Sequence, residues 1–184
     1  MEKDYPLELS LAGDAPRPRI QDLLGGETLL RLHPHWFVET FTRERDRVST
    51  RLRDYASEAT FDLQYHVRGD RNGLPTLIFA KGPFQEIRFY DKDGMLYARV
   101  VSDQNITALE EAFGLILWLR GIREYIRLYL TDSFNTRFFR ILMNRVMLRM
   151  NPSQRKICIM IYKITVVEII LILAIIIGFI VFNR

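Results

Sequence analysis

Hydrophobic and polar residues alternate along the middle of the chain. Four apolar residues fall on one face of the stretch TFDLQYHV: Phe61, Leu63, Tyr65 and Val67. This two-residue period is typical of a half-buried β-strand. Asn72-Gly73 and Asp93-Gly94 supply the residues of tight turns between the apolar runs that follow. We therefore predict an antiparallel β-meander from Thr60 to Val101.

The segment before the meander is ambiguous. Pro34 prevents one continuous helix, and the leucines before it favour a short strand. After Pro34, apolar residues recur at spacings compatible with a helix: Trp36, Phe37, Phe41, Val48, Leu52 and Tyr55. The aromatic and β-branched residues of HWFVETFT instead favour a strand. We take the helix as the prediction and the strand as the alternative.

Helical periodicity returns after the meander. Thr107 and Glu110 match a capping box. We expect the helix that they begin to bend or to change its packing partner at Gly121, where the apolar stripe rotates. A basic amphipathic helix follows in DSFNTRFFRILMNRVMLRM and stops before Pro152. Three residues are candidates for its cap: Asp132, Ser133 and Asn135. Its predicted apolar side consists of Phe139, Leu142, Met143, Val146, Met147 and Met150. We expect this side to lie in the membrane interface, with packing of its methionines against the soluble core as the alternative.

The C-terminal stretch is apolar enough to dissolve in lipid. Ile164–Phe182 holds nineteen residues with one charge, Glu168, and a helix of that length spans about 28 Å, close to the hydrocarbon thickness of a bilayer. We predict a single-pass transmembrane anchor. Ala174 and Gly178 form a small-xxx-small pair, which lets another helix approach. Glu168 either snorkels to water or takes a donor from another subunit, because the chain offers no cation in register.

Basic residues flank this anchor mainly on its N-terminal side. Seven precede it: Arg137, Arg140, Arg145, Arg149, Arg155, Lys156 and Lys163. Positive flanks tend to stay on the cytoplasmic side, so we expect an inner (cell) membrane protein with its N-terminal domain in the cytoplasm. The opening residues lack the apolar core of a signal peptide, and the single cysteine, Cys158, fits a reducing compartment.

The charge is unevenly distributed. Residues 1–114 hold 15 basic against 19 acidic residues, whereas residues 115–156 hold 9 against 2. A basic excess beside a membrane favours anionic phospholipids over nucleic acid as partners, and makes the seven flanking residues a candidate lipid interface. Ordinary positive-inside bias is the alternative.

A row of arginines also marks the helix before that basic segment. Arg120, Arg123 and Arg127 recur at i, i+3 and i+7, which either solvates one helix face or grips acidic groups of lipid or of a neighbouring protein. With Glu168, Ala174 and Gly178, these arginines form the set of candidate contacts to other integral membrane protein subunits.

The sequence offers little catalytic chemistry. His33 and His35 are closely spaced and are the only candidates for metal ligands, but a structural role is the preferred interpretation because no third ligand is nearby. The chain has no P-loop, no Gly-rich dinucleotide loop and no nucleophile elbow, and no carboxylate pair stands out as acid and base. We expect no catalytic residue, no cofactor and no enzymatic activity; a membrane-anchored enzyme is the third possibility.

Two segments resemble known families. GETLLRLHPHW resembles bacterial pleckstrin-homology-like domains, and the hairpin FQEIRFYDKDGMLYARVV is similar to those of tubby and scramblase-type β-folds. Each resemblance covers under a third of the chain. They imply a membrane-anchored lipid-binding or lipid-sensing domain and assign no role to a particular residue.

Together these patterns predict an α+β protein in four parts. Residues 1–26, polar and rich in proline and glycine, form an extended N-terminal arm, and residues 27–131 form a small cytoplasmic domain with the antiparallel meander and flanking helices. Residues 132–156 are the basic membrane-proximal helix and linker, and residues 157–184 are the transmembrane anchor. We expect a non-catalytic accessory or adaptor subunit of a larger inner-membrane complex, with the lipid-binding domain as the alternative.

Overall fold

The computed structural model describes residues 1–11, 20–70 and 72–182, which form two compact units, Met1–Arg149 and Met150–Arg184. The strands of the first unit are β1 (Glu2–Ser10), β2 (Trp36–Glu44), β3 (Arg47–Asp54), β4 (Thr60–Gly69), β5 (Pro75–Lys81), β6 (Glu86–Lys92) and β7 (Met95–Val101). Its helices are α1 (Ile20–Leu23), α2 (Thr28–Arg31), α3 (Ile106–Phe113), α4 (Leu115–Leu130) and α5 (Phe134–Arg145), followed by a 3₁₀ turn at Met147–Arg149.

The strands form one antiparallel sheet in the order β1-β7-β6-β5-β4-β3-β2. The predicted meander is confirmed as β4 to β7, and the α+β class is confirmed with it. Asp93 and Gly94 join β6 to β7 with φ angles of 56° and 75°, the positive values that a two-residue hairpin turn requires. The alternation of apolar and polar residues therefore predicted these strands correctly. Turn residues between the strands marked where each one ends.

The predicted helix after Pro34 is wrong, and the alternative strand is correct. Trp36–Glu44 and Arg47–Asp54 pair as an antiparallel hairpin. Along β3 every second residue is buried, but two of the four are polar, Thr50 and Asp54. The leucines before Pro34 also differ from the prediction, because Thr28–Arg31 is a short helix that buries Leu29 and Leu30.

The predicted N-terminal arm begins with a strand of the sheet. Glu2–Ser10 pairs with β7 at one edge and buries Leu7 and Leu9. An edge position tolerates Pro6, which has no N–H to donate to a neighbouring strand. Ile20, in α1, is also buried. The interpretation as an arm outside the domain is therefore wrong for β1, and Pro16 and Pro18 lie outside the described residues.

The helix after the meander breaks at Gly114 and not at Gly121. Asn105 caps α3 by accepting a hydrogen bond from the N–H of Thr107, so the predicted Thr107 cap is wrong. Gly114 has a φ of 57°, which ends α3 before α4 begins. α4 runs through Gly121 without a break. A Cβ at this position would lie 2.3 Å from the carbonyl oxygen of Leu32. Gly121 thus permits a close backbone approach.

Aromatic rings fill the interior between the sheet and the helices. Trp36 of β2 and Trp118 of α4 are both buried, with ring centroids 5.0 Å apart. Phe61, Phe84 and Phe113 extend the same cluster through edge-to-face contacts. The indole Nε1 of Trp118 donates to the carbonyl oxygen of Leu29 at 2.7 Å. This cluster fixes α2 and α4 against the sheet.

The second unit consists mainly of one helix, α6 (Pro152–Phe182). Asn151 caps it, because its Oδ1 accepts from the N–H of Gln154 at 2.8 Å and the side chain of Gln154 accepts from the N–H of Asn151 at 3.0 Å. Proline is favoured at the first helical position. Residues 152–156, which we predicted as linker, are therefore the first turns of α6.

Candidate functional site

α6 is the candidate membrane span. It has 31 residues, or about 46 Å of helix, and its most apolar 18-residue window has a mean hydropathy of 3.1 with no residue buried. Within the described residues it is the one helix long and apolar enough to cross a membrane. This finding is compatible with the predicted C-terminal anchor.

The predicted partner contacts on α6 are all accessible from outside the helix. Glu168 and Ala174 are exposed, and a Cβ added at Gly178 would meet nothing within 4 Å. Among the described residues of the second unit, none donates a hydrogen bond to the Glu168 carboxylate or forms an ion pair with it. Water or a donor from another chain could then form hydrogen bonds to the Glu168 carboxylate.

Two of the predicted lipid-binding arginines already have partners within the first unit. Arg137 forms a bidentate ion pair with Asp132 at 3.0 and 2.6 Å, and this hydrogen bonding lowers the pKa of the Asp132 carboxyl. Arg140 donates to the carbonyl oxygens of Leu128 and Thr131 at 2.7 and 2.6 Å. Arg140 thereby caps the C-terminal end of α4.

The other predicted lipid contacts differ from these two. Arg145 and Arg149 are exposed, and no described residue forms a hydrogen bond or an ion pair with either side chain. Arg155 donates from Nε to the carbonyl oxygen of Met150 at 3.0 Å. Lys156 and Lys163 are exposed on α6. Of the predicted lipid contacts in the first unit, the two without a hydrogen bond or ion pair to a described residue thus lie at the end of α5 and just beyond it.

α5 contacts the domain through part of its predicted apolar side. Ser133 caps it through a capping box with Thr136, as one of the three predicted alternatives. Met143, assigned to the apolar side, packs against the core. The most exposed apolar residues of the helix are Phe134, Phe138 and Ile141, which we call the α5 outer stripe, and Phe139 of the predicted apolar side is exposed as well.

The arginine row of α4 borders a small groove against β1, which we call the β1–α4 groove. Its volume is about 250 Å³, and its lining residues are Tyr5, Pro6, Leu7, Ile116, Leu119, Arg120 and Arg123. Arg123 is already paired with Glu8 at 2.8 Å and Glu124 at 2.9 Å. Arg127 is 3.5 Å from Glu124. Arg120 is exposed, and no described residue pairs with it.

A larger polar pocket lies between α2, α4 and α5, and we call it the Arg31 pocket. Its volume is about 510 Å³, and charged and polar residues from five segments line it, among them Arg31, Tyr125, Tyr129, Asn144 and Arg149. Arg31 donates to the carbonyl oxygen of Leu148 at 2.9 Å and to Glu27 at 2.8 Å. No pattern in the sequence predicts this pocket, because its residues are far apart along the chain and follow no motif.

A hydrogen-bonded network forms one wall of the Arg31 pocket. The Tyr125 hydroxyl donates to the Asn144 side-chain oxygen at 2.9 Å, and the Asn144 amide donates to the Tyr129 hydroxyl at 2.7 Å. Burial, followed by hydrogen bonding to Tyr129, raises the pKa of Tyr125. The wall therefore presents two phenol hydroxyls near Arg31 and Arg149.

The two histidines have structural roles in this arrangement. His33 is buried and stacks on Trp36 with ring centroids 4.2 Å apart, and its Nδ1 accepts from the N–H of His35 at 3.1 Å. Burial lowers the pKa of His33 to about 4, so the ring is neutral near pH 7. Across the described parts of the chain, no group of three His, Cys, Asp or Glu side chains is placed to hold a metal ion.

Comparisons with known proteins do not identify a family. No family model matches the chain, and no curated protein matches it. Among solved structures, the chain is similar to the AHSA1-like protein from Aeromonas hydrophila, with 11% identity and a TM-score of 0.46 over 69% of this chain and 91% of that one.

Two further solved structures are similar at the same level. Chr148 from Cytophaga hutchinsonii has 14% identity and a TM-score of 0.41, over 73% of this chain and 96% of that one. CV1439 from Chromobacterium violaceum has 13% identity and a TM-score of 0.41, over 72% and 97%. Similarities with these identities and TM-scores do not indicate a function for this chain.

Proposed function

We propose that the chain is a non-catalytic, single-pass accessory or adaptor subunit of a larger inner-membrane protein complex. In this proposal α6 anchors the chain, the first unit lies on the cytoplasmic side, and other integral membrane subunits are its partners. The observation that carries the proposal is the β1–α4 groove, which combines an apolar floor with an arginine that has no partner among the described residues.

The size and charge of the groove fit a protein segment better than a metabolite. Leu7 and Leu119 form its buried floor, and Ile116 at the rim is 55% exposed. Its volume of about 250 Å³ is below the roughly 300–1,000 Å³ of typical ligand pockets. One or two apolar side chains of a partner would fill it, with a carboxylate of the partner placed against Arg120.

The state of the carboxylates supports a non-catalytic role. The pKa is lowered at Asp4, Asp62, Glu110 and Asp132, in each case by hydrogen bonds from a lysine or an arginine. A general acid or base is expected to have a pKa near the working pH. These four carboxylates act instead as members of ion pairs that join surface segments.

Co-purification of the full chain with its neighbours tests the proposal. The tagged chain, extracted from its own membranes in a mild detergent, should bring down other membrane proteins in stoichiometric amounts. Ile116→Asp and Arg120→Glu should each reduce that yield several-fold, because each places a carboxylate where the partner brings apolar or acidic groups. Arg68→Glu is the matched control, an exposed arginine on β4 without an ion pair among the described residues. A chain that elutes alone, or equal yields for Arg120→Glu and Arg68→Glu, would refute the proposal.

The Arg31 pocket supports a second candidate function, a membrane-anchored domain that binds anionic phospholipids. Its volume of about 510 Å³ suits a headgroup, and Arg149 at its border is exposed. Short-chain phosphatidylglycerol, titrated into the full chain in detergent, should bind saturably if this function is correct. Arg149→Gln should weaken that binding, whereas Arg68→Gln should not.

A further inference from the structure

Helix α5 turns its apolar side away from the domain. At 100° per residue, Phe134, Phe138 and Ile141 lie within an arc of about 60°. Their exposed fractions are 86%, 56% and 59%. Arg145 continues the same stripe at the end of the helix. Phe139, 45% exposed, lies about 100° further round the helix, with its ring centroid 5.7 Å from that of Phe138. The α5 outer stripe is therefore a continuous apolar surface that ends in a cation.

The opposite side of α5 is occupied by the domain. Arg140 and Asn144 make hydrogen bonds to α4 and its C-terminal end, and the Arg140 guanidinium lies 5.0 Å from the centre of the Tyr129 ring. Met143 packs against the core beside them. Because the polar side chains face the domain, rotation of α5 to bury its phenylalanines would break these contacts. The exposure of the stripe is thus fixed by the fold.

We propose that α5 lies in the membrane–water interface of the bilayer that α6 enters, with the α5 outer stripe among the lipids. An exposed apolar helix face beside cations is the pattern of interfacial helices, and only six residues, 146–151, separate α5 from α6 along the chain. Arg145 and Arg149 are free to meet lipid phosphates. This inference does not depend on the adaptor role, because the β1–α4 groove is formed by other elements.

The proposal assigns the lipid contacts to residues that the basic pattern of the sequence did not indicate. Phe134 and Phe138 supply the apolar insertion, whereas Arg137 and Arg140 are held by Asp132 and by the end of α4. Transfer of aromatic side chains from water to the acyl boundary of the interface lowers the free energy. The interfacial contact is therefore dominated by apolar burial, with two arginines at its edge.

Spin labels on the full chain test this orientation. Cys158→Ser removes the native thiol, and single cysteines then carry a nitroxide at positions 134, 138 and 141. Ala108, exposed on α3, is the control position on a helix surface. The labelled chains are reconstituted in vesicles of phosphatidylethanolamine and phosphatidylglycerol. Collision rates with oxygen and with a water-soluble nickel chelate are then measured.

Three outcomes are distinguishable. A several-fold higher ratio of oxygen to nickel accessibility at positions 134, 138 and 141 than at Ala108 is the expected result. Nickel accessibility equal to that at Ala108 would place the stripe in water and overturn the proposal. Loss of both accessibilities would indicate protein contact, such as a second copy of the chain, and would also overturn it.

A tryptophan variant tests the same orientation without a spin label, which could itself disturb the fold. Phe138→Trp should be quenched by brominated lipids in the same vesicles. Trp36 and Trp118 are buried in the core and should not be quenched, so the unsubstituted chain is the control. A Phe138→Trp chain with no more quenching than the natural protein would contradict the proposal.

Discussion

A substitution at Gly121 tests the close approach of α4 to the backbone of Leu32. A Cβ at this position would lie 2.3 Å from the carbonyl oxygen of Leu32, whereas ordinary contacts begin at 3.4 Å. The obstacle is backbone and cannot rotate away, so Gly121→Ala must move α4 from the α2 region by about 1 Å. The Trp118–Leu29 hydrogen bond, now 2.7 Å long, would stretch past the limit for such a bond.

Two opposing effects determine the change in stability. Alanine in a helix interior is favoured over glycine by about 1 kcal/mol. Against this, overpacking costs about 1–3 kcal/mol, and a buried polar group without its partner costs a further 1–3 kcal/mol or so. We expect a net loss of about 3 kcal/mol in the free energy of unfolding. For a unit of this size that corresponds to a fall in Tm of roughly 6–12 °C.

Thermal unfolding of the full chain in detergent measures this effect. Near-ultraviolet circular dichroism reports on Trp36 and Trp118, both in the core of the first unit. Gly178→Ala is the matched control, because an added Cβ there meets nothing within 4 Å. If Gly121→Ala leaves Tm unchanged or raises it, helix propensity outweighs the clash and the inferred close approach is wrong.

Three further predictions follow from individual side chains. Burial lowers the pKa of His33 to about 4, below the value near 6.5 of an unfolded chain, so the unfolded state binds its proton more readily. Stability should fall by on the order of 3 kcal/mol as the pH drops from about 6.5 to 4, and His33→Gln should flatten that part of the unfolding curve. Arg140→Gln should accelerate hydrogen exchange in α5 by removing the cap of α4, whereas Arg137→Gln should leave it unchanged because that ion pair is exposed. Glu168→Leu should leave membrane insertion intact and weaken co-purification with partners.

Each of these has an outcome that would contradict it. A stability slope between pH 6.5 and 4 that survives His33→Gln would mean that another group titrates there. Equal exchange rates for the two arginine variants would show that Arg140 does not hold α5. Unchanged co-purification of Glu168→Leu would remove Glu168 as a partner contact.

The sheet was predictable where apolar residues alone mark the buried face. In β4 the alternation is nearly complete, and turn residues bound the strands of the meander. In β3 the buried positions include Thr50 and Asp54, which satisfy their polar atoms locally. Thr50 donates to the carbonyl oxygen of Thr40, and Asp54 accepts from Ala56. Because these two buried residues are polar, the apolar residues of β3 alone do not show the two-residue period of a strand. The spacings between the remaining apolar residues matched a helix.

The leucines in and just after β1 alternate with polar residues as in a strand, but proline and acidic residues obscured this pattern. Leu7, Leu9 and Leu11 alternate and are all buried. Pro6 and the surrounding charges suggested a solvated arm, but an edge strand accepts both, because one of its sides makes no backbone hydrogen bonds. Pairing with β7 joins residues some ninety positions apart along the chain. No local pattern specifies such a partner.

The candidate surfaces were predictable only in outline. The basic excess after the meander is real, but its arginines differ in what they contact. Arg140 binds carbonyl oxygens, Arg123 is paired with acids, and Arg120 remains exposed. Which arginine is free depends on acidic groups and helix ends brought close by the fold. Charge along the chain therefore predicts the region of a binding surface but not its residues.

The length of α6 exceeds what a bilayer can cover. Its helix of about 46 Å is longer than the roughly 30 Å of hydrocarbon, and submerging all of it would need a tilt of about 50°, beyond the usual limit near 40°. At smaller tilts, with Ile164–Phe182 as the span, the first turns of α6 lie outside the hydrocarbon, and they carry Ile157, Ile159, Met160 and Ile161. A thicker membrane covers more of these side chains than a thinner one. The hydrophobic mismatch of α6 should thus favour thick bilayers over thin ones.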